Sequence, residues 1–141
     1  MKGRVFLDSN ILIYAAGGLD REGGKLDAAM RIVADSDFGI STQVVGEFVK
    51  NVQSSKKMLE PLTDEQVDAW LERFFEFPVI AADRELVERA IFHQRRYKIG
   101  YWDGQIVAAA ERLGAGVLYS EDLSRNQSYG SVRCVNPFRE S

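Results

Sequence analysis

The sequence predicts an α/β fold: a central, mostly parallel sheet of four to five short strands flanked by helices. Three observations carry this expectation. Val5-Phe6-Leu7 is an unbroken apolar run without alternation, as in a strand buried on both faces of a parallel sheet. It stops at Asp8, and a short helix follows over residues 10–16. The same order of strand, cap and helix recurs at Phe38-Gly39-Ile40-Ser41, and a later apolar run, Val117-Leu118-Tyr119-Ser120, again ends in acids.

Length and composition bound the reading. A chain of 141 residues, 45% hydrophobic and 28% charged, has the size of one domain, spanning 1–141. A formal charge of -3 and a pI of about 5.2 exclude a generally basic nucleic-acid coat but leave room for a local basic groove. Cys134 and His93 are the single cysteine and histidine, so an intramolecular disulfide is excluded and a structural zinc site lacks ligands. A metal here would need oxygen donors. No apolar run approaches the roughly 20 residues of a membrane span, and the N-terminus lacks the pattern of a signal peptide. The expected location is the cytoplasm.

Along the chain, Asp8 falls at the carboxyl end of the first strand, the edge where open α/β sheets bind ligands; an ordinary helix N-cap explains it equally well in isolation. Gly17-Gly18 stops the first helix, and the glycine-containing, charged segment 19–24 reads as a surface loop. Leu26, Ala29, Met30, Ile32 and Val33 recur at helical spacing over 25–36. After the second strand, Ser41 or Thr42 caps a helix whose apolar stripe is Val44, Val45, Phe48, Val49 and Val52. Glu47 lies off that stripe in the first two turns, where it either leans over the strand ends or is simply solvated.

Lys56-Lys57 and residues 59–62 form a connector, and Thr63-Asp64-Glu65-Gln66 fits a capping box. The helix it opens carries Val67, Trp70, Leu71, Phe74 and Phe75, and with Phe77 these aromatics suit core packing plus a partner contact. Pro78-Val79-Ile80 is a third strand and Asp83 a cap for the next helix. Arg89, His93, Arg95, Arg96 and Lys98 then gather toward that helix's end, as cations matched to its dipole or as a phosphate-contacting rim. Tyr101-Trp102-Asp103 opens a helix with Trp102, Ile106, Ala109, Ala110 and Leu113 inward and Gly114 as its stop. Asp103 sits on the shoulder of that inward face, a costly place for an unpaired carboxylate. Val132-Arg133-Cys134-Val135 reads as an edge strand.

Asp8 and Asp122 therefore end strands, while Glu47 and Asp103 lie in early helical turns on the same side of the sheet, so all four can converge on one rim. Four clustered carboxylates repel one another, and a hard divalent cation such as Mg²⁺ or Mn²⁺ is an economical reason to keep them together. With no serine–histidine pair or activated cysteine in view, such a site suits metal-assisted attack of water on a phosphodiester.

The segments Val5 to Leu12, Ile40 to Phe48, Tyr101-Trp102-Asp103, and Leu118 to Leu123 through Val135-Asn136-Pro137-Phe138 resemble the PIN-domain nucleases, particularly VapC-type toxins. The resemblance runs from Val5 to Phe138. It implies a PIN-like three-layer fold, Asp8, Glu47, Asp103 and Asp122 as the catalytic and metal-holding site, and Ser9, Asn10 and Ser120 as its supports. Ser9 stands where threonine is expected, keeping the hydroxyl; Asn126 stands where glycine is common, and asparagine tolerates the left-handed backbone a similar turn needs. The implied function is a metal-dependent endoribonuclease, the toxin of a toxin–antitoxin pair. Because a net acidic chain has only patches such as Arg89 to Lys98 and Arg125 to grip phosphates, single-stranded or loop RNA is the expected substrate. The implied partners are RNA, a small antitoxin and a second copy of the chain. A non-catalytic module with a degraded acidic site is the alternative. A phosphoaspartate reading of Asp8 is disfavoured, because no second acid stands two residues on.

Overall fold

The computed structural model describes residues 3–123 and 127–139. The elements are β1 (Val5–Leu7), α1 (Ser9–Ala15), α2 (Lys25–Asp35), β2 (Phe38–Ser41), α3 (Thr42–Val52), α4 (Asp64–Phe74), β3 (Val79–Ile80), α5 (Arg84–Tyr97), α6 (Tyr101–Leu113), β4 (Val117–Tyr119), β5 (Ser128–Tyr129) and β6 (Val132–Val135). Among the described residues they build one six-stranded sheet in the order β3-β2-β1-β4-β6-β5. All neighbouring pairs are parallel except β5–β6.

Two expectations are corrected here. The sheet has six strands where four to five were expected, and β6 is not the edge: it lies between β4 and the short strand β5. Tyr129 pairs with Val132 around Gly130-Ser131, with Gly130 at φ 65°. A two-residue Gly-Ser link between strand-forming residues is a hairpin signal. It is easily passed over because β5 is only two residues long.

Strand order follows from where the apolar runs must hide. β1 is central, its Phe6 and Leu7 fully buried. The chain moves from β1 outward to β2 and β3, then crosses back through α5 and α6 to place β4 on the other flank of β1. The β1/β4 boundary is thus the point at which the direction of winding reverses, and the strand ends splay there into a crevice. Helix α6 lies on β1, β2, β3, β4 and β6, and α5 packs on α6; α1 packs on α2 and α3. Residues 104–110 of α6 are buried throughout, with alanines at 108, 109 and 110 that let the helix settle close to the sheet. A Cβ on Gly104 would meet the Ala90 carbonyl oxygen at 2.5 Å, so the α5–α6 crossing requires glycine there.

The aromatics divide differently from the expected partner surface. Phe74 is fully buried against Phe48, Trp70 packs on both, and Phe77 stacks on Phe38 at 4.0 Å, leaving Phe75 exposed. Trp102, expected inward, faces solvent with 63% exposure. It stands in the first turn of α6, beyond the part of the helix covered by the sheet. His93 also departs from the basic rim. It is 1% exposed, beside the Tyr97 ring, with Nε2 3.2 Å from Glu111. Asn126 and Arg125 lie outside the described residues.

Candidate active site at the carboxyl edge of the sheet

Asp8 is delivered by β1 and caps α1. Its Oδ1 accepts the Ser9 backbone N–H at 2.7 Å and its Oδ2 accepts the Ser120 hydroxyl at 2.7 Å. The carboxylate is only 5% exposed, and its own N–H donates to the Tyr119 carbonyl across the β1/β4 boundary. Burial pushes Asp8 up to about 7; the Ser120 and Ser9 hydrogen bonds oppose the rise, and Glu47 and Asp122 add to it.

Ser120 and Asn10 fix the opposite wall. The Ser120 hydroxyl accepts the Asp122 N–H at 3.1 Å, and Asn10 clamps the turn twice: its Nδ2 donates to Asp122 Oδ2 at 3.1 Å and its Oδ1 accepts the Glu121 N–H at 3.2 Å. Asp122 itself is exposed. Glu47, one turn into α3, is raised by burial, held back by the Ser9 and Gln43 side chains, and raised further by Asp122 and Asp103. Asp103, in the first turn of α6, is raised by burial and then by Asp122. The structure thus brings the four acids within electrostatic reach as a chain of neighbours. Asp103 couples to Asp122 and to Glu47, and Glu47 and Asp122 both couple to Asp8. Buried Cys134, pushed up to about 12 by burial, also feels Asp8 and Asp103 from beneath.

Among the described residues no ion pair reaches these four acids. The nearby Lys25 is engaged elsewhere: its Nζ meets Glu121 Oε2 at 2.7 Å, Glu121 Oε1 accepts the Tyr14 hydroxyl at 2.7 Å, and the ammonium lies 5.0 Å from the Tyr14 ring centre. Negative charge without a counter-ion among the described residues, carried wholly by oxygen donors, suits a hard divalent cation. As placed, however, no three His, Cys, Asp or Glu side chains among the described residues form a group that could hold a metal ion. Gathering three carboxylates on one ion requires the acids around Asp8 to turn, and Asp122 is exposed enough to do so.

Several features beside the acids left little or no local signal in the sequence. A cavity of about 500 Å³ opens from Glu47 and Asp122 toward Arg21, Lys56 and Lys57, residues read from sequence as loop and connector. An isolated bridge between Gly18 and Met58 draws those segments together, with Leu19 N–H donating to the Lys57 carbonyl at 2.8 Å. The adjacent lysines 56 and 57 were the one sequence signal for it. Gln43, whose Nε2 donates to the Trp102 carbonyl at 3.2 Å, ties α3 to the start of α6. The Lys25–Glu121 pair spans 96 residues and left no local signal.

The fold and this rim together define an α/β protein with a carboxylate cluster at the switch point of its sheet. The PIN-domain family model matches residues 5–125, and the chain belongs to that family. A chain of a toxin–antitoxin complex from Klebsiella pneumoniae superposes with a TM-score of 0.70 at 17% identity, over 96% of this chain and 99% of that one. Mycobacterium tuberculosis VapC20, a Sarcin-Ricin loop cleaving toxin, gives 0.64 at 16% identity, covering 84% and 89%. A chain of VapBC2 from Rickettsia felis, bound to a promoter DNA fragment, gives 0.61 at 17% identity, covering 94% and 97%. At such identities the likeness is one of fold. No curated protein matches the sequence.

Proposed function

We propose that this chain is a metal-dependent endoribonuclease, the toxin of a toxin–antitoxin pair. The observation that carries the reading is the linked set Asp8, Glu47, Asp103 and Asp122, desolvated in part and without a counter-ion among the described residues. PIN-family membership and the resemblance to an RNA-cleaving toxin support it. Asp8, Asp103 and Asp122, with Glu47 assisting, would hold Mg²⁺ or Mn²⁺. When bound, such an ion supplies Lewis acidity and offsets charge developing on the phosphate.

The protein's own part is positional. Ser120 and the Ser9 amide hold Asp8 in one orientation, and Asn10 fixes the turn that carries Asp122. Glu47 is the group to take a proton from the attacking water, since burial raises its proton affinity and the neighbouring carboxylates raise it again. Arg21, Lys56 and Lys57 line the cavity beside the acids and join the expected grip at Arg89 to Lys98, where Arg89 itself is held by Glu111 through two bonds of 2.7 and 2.9 Å while Arg95, Arg96 and Lys98 are exposed. So small a cationic wall on a net acidic chain fits a single strand better than a duplex. No helix among the described residues is long and apolar enough to cross a membrane. Action on RNA in the cytoplasm belongs to the same proposal.

The test is incubation of purified protein with total RNA and Mn²⁺, then with EDTA, with Asp8→Asn as control. Cleavage that needs both the ion and Asp8 is expected. Cleavage indifferent to EDTA, or none at all, would sink the reading. The second reading, a non-catalytic PIN module, draws on the lack of a preassembled three-donor group among the described residues and predicts no Mn²⁺-dependent cleavage. Partnership with a small antitoxin and with a second copy completes the proposed function. It is abandoned if a co-encoded partner leaves cleavage unchanged or if the chain stays monomeric at high concentration.

A further inference from the structure

Helix α6 opens with two adjacent side chains of opposite behaviour. Asp103 is half-buried in the acidic rim, whereas Trp102 is the most exposed aromatic among the described residues. Burial is the ordinary fate of an indole, which carries roughly 150–250 Å² of packing surface. This one faces solvent, 63% exposed. Gln43 fastens its carbonyl, and the Tyr101 ring braces it edge-on at a centroid distance of 5.0 Å and an angle of 80°.

Around the indole lies a hollow of about 310 Å³, lined also by Gln43, Gly46, Glu47 and Lys50. A Cβ on Gly46 would find nothing within 4 Å, so space is open over the floor. The hollow therefore joins an aromatic face, an exposed ammonium and one of the four rim carboxylates. The indole is the single large apolar side chain in this lining, its neighbours being Gln43, Gly46, Glu47 and Lys50, which leaves a partner's apolar face one ring to cover. A nucleotide finds a stacking surface for its base, a cation for its phosphate and, one residue along the chain, the acids.

We propose that Trp102 is the stacking platform for an unpaired nucleobase flanking the phosphodiester bound at the acidic rim, with Lys50 facing that nucleotide's phosphate. The strand's identity rests on the nuclease reading above; the platform itself is a separate feature. Stacking accepts any base, since every base has a π-face, and a base already paired and stacked in a duplex is denied to it.

Trp70 and Trp102 are the two tryptophans, so Trp70→Phe leaves Trp102 as the single indole reporter while keeping an aromatic against Phe48 and Phe74. In EDTA, titration with a short 2′-O-methyl single-stranded oligonucleotide is expected to quench Trp102 fluorescence, and inorganic polyphosphate is not. With Mn²⁺ and the matching RNA, Trp102→Ala is expected to raise KM roughly 5- to 150-fold with a smaller change in kcat, and Trp102→Phe to recover most of the loss. Circular dichroism of each variant separates this from unfolding. If the wild type cleaves RNA while Trp102 neither quenches nor alters KM, the platform is overturned and the nuclease reading stands. If the oligonucleotide quenches Trp102 but no RNA is cut, the platform stands and the nuclease reading falls. If Trp102→Ala weakens a protein partner and leaves oligonucleotide affinity unchanged, the residue is a protein contact and the proposal fails.

Discussion

Asp8 shows how one carboxyl serves two demands. As an N-cap it satisfies an orphan amide of α1, and as a buried anion beside other acids it opposes folding. Below its ordinary value of 3.8 the group is protonated both folded and unfolded, and contributes no pH dependence. Between 3.8 and about 7 the folded chain keeps the proton and the unfolded chain loses it, so stability falls as pH rises. Above about 7 the cost is complete, roughly 4 kcal/mol by the size of that gap. Asp8→Asn removes the charge and keeps an oxygen for the Ser9 amide. The mutant is therefore expected to match the ion-free wild type near pH 4 and to exceed it by several kcal/mol at about pH 8. Urea melts in EDTA at the two pH values check this, and a difference that does not grow with pH would count against a buried, charged Asp8.

At the scale of elements, the site depends on where α6 begins. Its first turn carries Asp103 and Trp102, and its position is set by the close α5–α6 crossing at Gly104, the Gln43 tether, and a bidentate Arg112–Asp83 pair with bonds of 2.9 and 3.0 Å. Asp83 also caps α5, so one carboxylate joins the start of α5 to the end of α6. Gly104→Ala places a methyl against backbone that cannot rotate away. The helices must separate, at a cost of about 1–3 kcal/mol. The expected outcome is a lower Tm and a weaker response to Mn²⁺, since the shift carries Asp103 away from Asp122. An unchanged Tm would mean that the crossing is looser than the structure shows.

For the whole molecule, the linked acids oppose folding, and the proposed ion would offset that cost. A divalent ion that binds the folded chain alone, at about 100 times its dissociation constant, adds roughly 2.7 kcal/mol. For a domain of this size that raises Tm by several degrees. Asp103→Asn is expected to cut the response to Mn²⁺ and abolish RNA cleavage. It should relieve the ion-free protein less than Asp8→Asn does, because Asp103 is only half-buried whereas Asp8 is 5% exposed. Thermal melts across a Mn²⁺ series decide it: equal responses in wild type and mutant would remove Asp103 from the ion site.

Local chemistry made much of this protein readable in advance. The apolar runs of β1, β2 and β4, the capping box at Thr63, the Asp83 cap and the glycine stop at Gly114 are set by neighbours within a few residues, so they stand plainly in the sequence. The four acids were legible for the same reason, each lying at a strand end or in an early helical turn, where α/β architecture sends side chains to one edge. Pairings across long sequence separations were decided by the tertiary structure. Neither the Lys25–Glu121 pair nor the Arg89–Glu111 pair exists until the chain has folded, because its members are brought together only by the packing of whole elements. Trp102 followed the helical period of an inward face, yet the sheet does not extend to cover the first turn of α6. Periodicity fixes the angle at which a residue leaves its helix; whether anything lies opposite depends on the placement of every other element.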